Sequence, residues 1–171
     1  MNAIKRRDKI IEILSSSEVP ISATTLSKEF SVSRQVIVGD IALIRAFGLN
    51  IFATPRGYLL KNKDENKDRF VKTIACKHGV DKLKDELYTI IDNGGAILDV
   101  IVEHSIYGEL TGPLHIFSRY DADEFIKKVM DQNAQPLSSL TEGIHLHTIS
   151  CTNEDSYKRI MEILKQQNIL L

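Results

Sequence analysis

The sequence has only two cysteines, Cys76 and Cys151, and they form no CxxC pair. We therefore expect two free thiols in the core of a protein from a reducing compartment. Uninterrupted apolar runs are only a few residues long, which excludes a segment that spans a bilayer. Residues 1–12 mix charged and aliphatic side chains and lack the continuous apolar stretch of a signal peptide, so we expect a cytoplasmic protein.

The composition is that of a folded protein, and its charge is unevenly spread. The chain has 171 residues, of which 43% are apolar and 26% charged, enough for one mid-sized domain or two small ones. Residues 1–60 carry eight Lys/Arg and five Asp/Glu, whereas residues 61–171 carry 14 and 18. A basic front half on an acidic back half is typical of a nucleic-acid module fused to a sensor or dimerisation module, although charge alone does not decide it.

Eight consecutive polar residues, 61–68, follow the strand-like segment Gly57-Tyr-Leu-Leu60. A charged run without an apolar side chain is typical of a linker. The sequence therefore predicts two domains, at residues 1–61 and 67–171.

The front domain is predicted to hold three helices and a β-hairpin. Aliphatic residues at helical spacing mark the first helix, and Ser22 is placed to cap a short second helix. Ser33 is placed to cap a third helix at residues 34–47, whose apolar side consists of Val36, Ile37, Ile41, Leu43 and Ile44. Strands at 51–54 and 58–60 flank a Pro-Arg-Gly turn. Two short helices joined by a tight turn and followed by a β-ribbon predict a winged helix-turn-helix.

Four residues of the front domain are predicted to contact DNA. Ser33, Arg34 and Gln35 lie at the start of the third helix, where a recognition helix enters the major groove, and can bind phosphates or base edges. Arg56 lies at the tip of the hairpin, from which a wing reaches the neighbouring backbone or minor groove. The alternative is a three-helix bundle with a hairpin and no nucleic acid, which leaves the placement of these side chains unexplained.

The back domain is predicted to be an α+β sandwich with one mainly antiparallel sheet and helices on one face. Its predicted elements are strand 69–78, helix 80–93, strand 95–104, strand 108–117, helix 121–133, strand 142–151 and helix 153–167. Acidic residues that follow Asp121 and Asn153 favour two of the helix starts.

All five histidines lie in the back domain, and His145 and His147 form a His-x-His pair. Residues i and i+2 of a strand point to the same face, so both imidazoles can bind one ion. His78 ends the first strand of the domain, and Glu86 lies eight residues on, in the next helix, where it can fold back over that strand end. Three imidazoles and a carboxylate suit zinc, nickel or another first-row divalent ion. A His-x-His pair alone is a weak signal, because two exposed or hydrogen-bonded histidines give the same pattern.

Four further residues of the back domain have open interpretations. His104 precedes a turn that contains Tyr107, where it can support the metal ligands, line an effector pocket or lie on the surface. Cys76 and Cys151 share strand parity with the predicted metal ligands and can approach the same site. Buried apolar thiols are the favoured interpretation of both cysteines.

Six stretches spread over nearly the whole chain carry a resemblance to a known family: Ser31-Val-Ser-Arg-Gln-Val-Ile-Val38, Asp40-Ile41, Ala53-Thr-Pro-Arg-Gly-Tyr58, Asp99-Val-Ile-Val-Glu-His104, Tyr107-Gly-Glu109 and His145-Leu-His-Thr148. Together they resemble the niacin-responsive transcriptional repressors of bacterial NAD metabolism. These proteins join a helix-turn-helix of the biotin-repressor type to a 3H domain that is named for its histidines.

The resemblance implies a repressor that binds double-stranded operator DNA as a homodimer and controls genes of NAD biosynthesis or niacin uptake. It implies nicotinic acid as co-repressor, a divalent metal such as nickel or zinc, and an HPr-like open-faced sandwich for the back domain. The metal ligands of the family, carried over motif by motif, fall on His78, Glu86, His145 and His147. The motifs leave the effector pocket undefined, and His104 and Tyr107 are its candidates.

The alternative function is a small metal-dependent enzyme of the hydrolase type with a regulatory winged helix. Glu86 or Glu142 would then act as general base beside a metal-bound water. The sequence has no Gly-rich phosphate loop, no GxSxG motif and no Cys/His pairing. We therefore expect a regulator without catalytic residues.

Overall fold

The computed structural model describes residues 2–60, 69–132 and 134–171. The chain divides into two compact units, Met1–Glu65 and Asn66–Leu171, each with its own hydrophobic core. The segment that was predicted as a linker, residues 61–68, lies outside the described residues.

The front unit is a winged helix-turn-helix, as the sequence predicts. Its elements are α1 (Ala3–Ser15), α2 (Ala23–Glu29), α3 (Arg34–Ala46), β1 (Ile51–Thr54) and β2 (Gly57–Leu60). Serine hydroxyls begin two of the helices, because Ser22 Oγ accepts the Thr25 N–H and Ser33 Oγ accepts the Val36 N–H. Both caps are therefore at the predicted serines.

Ile21, which precedes α2, holds the wing formed by β1 and β2. Its backbone N–H donates to the Tyr58 carbonyl at 2.9 Å, and its carbonyl accepts the Tyr58 N–H at 2.8 Å. Gly57 has φ +138°, and a Cβ at this position would lie 2.4 Å from the Ile21 backbone. A glycine is therefore needed for the wing to pack this closely.

The buried side of α3 differs in part from the predicted one. Ile37, Ile41 and Ile44 are buried, but Val36 and Leu43 are 38% and 47% exposed. Each of the exposed pair precedes a buried isoleucine by one residue, which is about 100° around the helix. This rotation turns Val36 and Leu43 away from the core and onto the outer side of α3.

The back unit is an α+β fold built on one antiparallel sheet, as the sequence predicts. Its elements are β3 (Phe70–Lys77), α4 (Leu83–Asp92), β4 (Gly95–His104), β5 (Gly108–Ile116), α5 (Arg119–Asp131), β6 (Ile144–Cys151) and α6 (Glu154–Gln166). The strand order is β3-β6-β4-β5, and each neighbouring pair is antiparallel. Short 3₁₀ helices, Val80–Lys82 and Leu137–Thr141, precede α4 and β6.

Two helices of the back unit begin at other residues than predicted. The helix predicted from residue 80 opens with a 3₁₀ turn, so α4 starts at Leu83 and Glu86 lies in its first turn. The α5 helix starts ahead of Asp121, because Ser118 Oγ accepts the Asp121 N–H. The Asp121 carboxylate accepts the backbone N–H of Phe117, the residue before the cap, at 3.0 Å.

One face of the sheet packs with α4, α5 and α6 in a single core, which includes Ile74, Leu87, Ile97, Ile149 and Ile160. Alternate residues of β6 point into this core, so His145 and His147 lie on the same face as Ile149. The two imidazoles therefore share a layer with the buried side of α4, which carries Glu86.

The segment after α6 pairs with the outer edge of β3. The Leu171 N–H donates to the Ala75 carbonyl at 3.0 Å, and Cys76 and Leu170 form an antiparallel bridge. Because β6 pairs with its other edge, β3 is bonded on both sides around Cys76. This part of the strand is therefore interior to the sheet.

Candidate metal centre and nucleic-acid interface

Three imidazoles surround one carboxylate in the core of the back unit. Glu86 is fully buried, and its Oε2 lies 2.7 Å from His78 Nε2. Its Oε1 lies 3.2 Å from His145 Nε2 and 3.4 Å from His147 Nε2. The structure thus brings together all four side chains that were predicted as metal ligands.

The orientation of the three imidazole rings is fixed by the protein backbone. Each Nδ1 lies within hydrogen-bond distance of a carbonyl oxygen: 2.8 Å from His78 to Gly79, 2.8 Å from His145 to Gly143, and 2.6 Å from His147 to Asp99. A carbonyl only accepts, so each Nδ1 carries the proton and donates it. The three Nε2 atoms are left to bind an ion, which is the usual arrangement of histidines that ligate a metal.

A β-bulge in β4 positions His147. The pairing of β4 with β6 shifts register between Ile97 and Ile101, and Asp99 lies within the shift. The Asp99 carbonyl accepts the His147 Nδ1–H, and its carboxylate Oδ1 accepts the Thr148 N–H at 2.9 Å. Asp99 therefore binds both the His147 ring and the backbone of the next residue of β6.

Gly143 brings the end of β3 next to the start of β6. Its carbonyl accepts the His78 N–H at 3.2 Å and the His145 Nδ1–H at 2.8 Å. The residue has φ +89°, and a Cβ would lie 2.6 Å from the His78 carbonyl oxygen. The close approach of these two histidines thus depends on a glycine, which has no side chain, at position 143.

Burial and the charges within the cluster shift the pKa values of its residues in opposite directions. Burial by itself raises the pKa of Glu86, but the charge of His147 and hydrogen bonds with His145 and His78 outweigh it and lower the pKa well below its usual range. Burial by itself lowers the pKa of His147 and of His78, but the Glu86 carboxylate outweighs it and raises both. Glu86 is therefore held as an anion among nitrogen donors.

The residues of the cluster fit a divalent metal. His147 Nε2 is buried and has no hydrogen-bond partner among the described residues. Ligand atoms of Cys76, Glu86 and His145 all lie within 4.8 Å of one another, so one of the two cysteines approaches the centre. Imidazole nitrogen and carboxylate oxygen are ligands that zinc and nickel accept. A metal at these residues stays a prediction.

The two effector candidates lie in a turn next to a cavity. His104 Nδ1 accepts the backbone N–H groups of Ile106 and Tyr107 at 3.1 and 3.4 Å, and Tyr107 is 72% exposed. A cavity of about 510 Å³ adjoins His145 and is lined by Ile101, Val102, Glu103, Gly108, Glu109, Thr141, Ile144, His145 and Leu146. Neither His104 nor Tyr107 lines this cavity, so their role with an effector stays a prediction.

The start of α3 presents the side chains that were predicted to contact DNA. Ser33, Arg34 and Gln35 are all exposed, and the Ser33 hydroxyl caps the helix. Gly39, one turn on, is also exposed, and a Cβ built there would meet no described atom within 4 Å apart from its chain neighbours and the backbone of α3 itself. A guanidinium and an amide beside a helix N-terminus suit phosphates and base edges.

Arg56 lies in the turn of the wing, as predicted, and is partly exposed. Its backbone N–H donates to Thr54 Oγ1 at 3.3 Å, and the Thr54 hydroxyl donates to the Gly57 carbonyl at 2.9 Å. These bonds close the turn and fix the point from which the Arg56 side chain extends. DNA contact by this residue and by those of α3 stays a prediction.

A buried carboxylate ties α1 to α3. Asp40 is 4% exposed and accepts from Arg6 Nε at 2.6 Å and from Arg7 Nη1 at 3.4 Å. A buried carboxylate is stable only when it is paired and hydrogen-bonded. Asp40 therefore fixes the orientation of α3 from behind, on the side opposite to its exposed residues.

Family models match both units. An HTH domain matches residues 6–59, and a 3H domain matches residues 71–171. The chain is 42% identical to the "Probable transcription repressor NiaR" of Thermotoga maritima, over 98% of this chain and 94% of that protein. It is 37% identical to the "Transcription repressor NadR" of Bacillus subtilis, over 97% and 93%.

The chain belongs to the NiaR and NadR family of transcription repressors. Membership of the NiaR and NadR family makes it a DNA-binding regulator, which confirms the expectation of a non-enzymatic protein over the hydrolase alternative. In the part of the chain that the structure describes, no helix is long and apolar enough to cross a membrane.

Two residues whose roles were not predicted nevertheless carry a signal in the sequence. Asp99 is an acidic residue inside the apolar strand segment Ala96-Ile-Leu-Asp-Val-Ile-Val102, and such a residue needs a buried partner. Gly143 directly precedes the strand that carries His145, which is a signal for a close backbone approach. Neither signal identifies the partner, because both partners lie far away in the chain.

Proposed function

We propose that this member of the NiaR and NadR family is a metal-dependent repressor of genes for NAD biosynthesis or niacin uptake, with nicotinic acid as co-repressor. The observation that carries the proposal is the backbone-fixed orientation of three imidazoles, whose Nε2 atoms face the Glu86 carboxylate. This arrangement supports a divalent ion held by His78, Glu86, His145 and His147. The ion, nickel or zinc, supplies a positive charge when it is bound, and a five- or six-coordinate ion such as nickel also keeps room for another ligand.

The chemistry of nicotinic acid suits such a centre. Its carboxylate and its pyridine nitrogen are both metal ligands, whereas nicotinamide lacks the charge. The family resemblance of the sequence supports this effector, and the metal ligands come from β3, α4 and β6, so a ligand at the centre acts on several elements at once. An effector changes DNA affinity only by its different affinity for two arrangements of the protein, which is typically about 1–3 kcal/mol of coupling.

Operator DNA affinity with and without nicotinic acid tests the metal and the effector together. We expect nicotinic acid to strengthen binding by about 5- to 150-fold for the parent protein. The response should be lost after chelation and in the His145→Ala/His147→Ala variant, and nicotinamide should act more weakly. If the chelated protein still responds fully, the effector lies elsewhere, and the turn at His104 and Tyr107 is the next site to examine.

DNA binding by α3 and the wing is tested with single substitutions. Loss of a base contact in Arg34→Ala or Gln35→Ala should cost about 1–3 kcal/mol and relax sequence preference. Loss of a phosphate contact in Arg56→Ala should weaken binding to all sequences alike and reduce the salt dependence. Lys158→Ala, an exposed cation of α6, is the matched control and should bind as the parent does. Parental binding by Arg34→Ala and Arg56→Ala would show that the recognition surface is misassigned.

A homodimer is part of the same proposal. One winged helix contacts too little DNA to bind both tightly and specifically, and a two-fold protein matches two half-sites about 34–36 Å apart or a multiple of this. Sedimentation of the full chain at micromolar concentration should give twice the 19.3 kDa of the monomer. A monomer at that concentration contradicts this part of the proposal.

A further inference from the structure

Cys76 lies beside the predicted metal ligands, although the sequence favours a buried apolar thiol. It is fully buried on β3 and is the register partner of His145 on β6. Directly paired residues of neighbouring antiparallel strands place their side chains on the same face, about 4.5–5.5 Å apart at Cβ. Accordingly, its Sγ and ligand atoms of Glu86 and His145 all lie within 4.8 Å of one another.

A second observation is a buried imidazole nitrogen in the same cluster that is available to bind an ion. His147 is 2% exposed, and its Nε2 points at Glu86 from 3.4 Å without a hydrogen-bond partner among the residues described. A buried polar atom without a partner is costly, and such atoms often mark the place of an ion. The thiol and the unpartnered nitrogen approach the same carboxylate.

We propose that Cys76 is a direct ligand of the divalent ion and gives the centre a mixed sulfur, nitrogen and oxygen donor set. This inference rests on the proposed metal centre and adds a ligand to it. On binding, the S–H bond breaks, its proton leaves to solvent, and a sulfur–metal bond forms without any change of oxidation state. Zinc ligands of this type lie roughly 3.5 Å apart, at bond lengths of about 2.3 Å to sulfur and 2.0–2.1 Å to nitrogen, so only a small side-chain shift is needed.

A thiolate ligand sets the class of metal that the centre takes. Thiolates select zinc and other soft or borderline ions, whereas carboxylate and water ligands alone suit magnesium and manganese. The protein should therefore take up zinc or cobalt and discriminate strongly against manganese and magnesium.

Cys151 provides a matched control within the same core. It is also fully buried, and it lies on β6 opposite Phe70 of β3 and Gly95 of β4. Of the two cysteines, only Cys76 belongs to the group of potential ligands within the described residues. A Cys→Ser change at either position removes one buried thiol, but only the change at Cys76 should alter the metal.

X-ray absorption of the zinc-loaded full chain is the direct test. We expect one zinc–sulfur distance of about 2.3 Å beside zinc–nitrogen and zinc–oxygen distances of about 2.0–2.2 Å. The sulfur shell should persist in Cys151→Ser and disappear in Cys76→Ser. The cobalt-loaded protein should show a thiolate-to-cobalt charge-transfer band with the same dependence on the two variants.

Each outcome separates this inference from the wider proposal. If zinc in the parent protein has only nitrogen and oxygen ligands, Cys76 is not a ligand, but the proposed metal centre stands. This measurement on the parent does not depend on whether a variant folds. Failure of the parent to bind zinc, cobalt or nickel at all overturns the proposed centre itself. Circular dichroism of the apo proteins separates a lost ligand from a lost fold.

Discussion

Gly143 offers a direct test of how the backbone assembles the proposed metal centre. The residue has φ +89°, and a Cβ would lie 2.6 Å from the carbonyl oxygen and 3.1 Å from the carbonyl carbon of His78. Both are backbone atoms, so neither can rotate away as the end of a side chain would. In Gly143→Ala, the strand end that carries His78 must therefore move.

The expected cost has two parts. An alanine in the left-handed region costs about 1–2 kcal/mol. The shift of His78 also weakens its N–H bond to the Gly143 carbonyl, now 3.2 Å long, which adds roughly 1 kcal/mol. We expect Gly143→Ala to destabilise the back unit by about 2–3 kcal/mol. It should also lower zinc affinity by 10-fold or more, because the orientation of His78 is lost.

Gly108→Ala is the matched control. Gly108 has φ +71°, and a Cβ there would meet no described atom within 4 Å, so this variant carries the backbone cost alone. We expect a loss of about 1–2 kcal/mol and parental zinc affinity.

Urea unfolding followed by circular dichroism measures the stability of each variant, because the chain has no tryptophan to report by fluorescence. Competition with a chromophoric chelator measures zinc affinity. If Gly143→Ala matches Gly108→Ala in both measurements, the close approach to His78 does not hold the centre together.

Three other predictions concern the buried polar contacts and the ion. Arg6→Ala should destabilise the front unit by about 1–3 kcal/mol, and more than Arg7→Ala, since Arg6 makes the shorter bond to the buried Asp40; equal losses in urea unfolding argue against this ranking. Asp99→Ala should lower zinc affinity by about 10-fold or more, whereas Asp99→Asn keeps an acceptor for the Thr148 N–H and should have nearly parental zinc affinity. Parental affinity in Asp99→Ala would show that the Asp99 carboxylate does not position His147. Zinc at 100 times its dissociation constant should stabilise the back unit by about 2.7 kcal/mol, reversed by EDTA; no shift in the unfolding midpoint contradicts binding to the native state.

The fold of the front unit and the clustering of His78, Glu86, His145 and His147 could be predicted because their signals are local. Ser22 and Ser33 cap the helices that follow them, and consecutive residues determine the turn of the wing. The histidine pair needs only the two-residue period of a strand. Even the distance from His78 to Glu86 depends on one strand end and the next helix, which are adjacent in the chain.

The remaining features depend on register and packing between distant segments. Their apolar character predicts that Val36 and Leu43 lie on the buried side of α3, but the structure exposes both and buries Asp40 instead. Asp40 can be buried because two arginines of α1 neutralise its carboxylate. The approach of Cys76 to Glu86 follows from the pairing of β3 with β6, which the sequence does not specify residue by residue. Strand parity therefore indicates that Cys76 can approach the site, but it does not show that Cys76 does so.

The hydrogen bonds that orient the three imidazoles also bear on how the site tolerates mutation. Their acceptors are main-chain carbonyls, at Gly79, Asp99 and Gly143, rather than side chains. A point mutation can delete a carboxylate or an amide, but it cannot delete a carbonyl; it can only move one by changing the path of the chain. Substitutions around the site should therefore disturb the imidazoles through the path of the backbone, above all at the bulge of β4 and at Gly143.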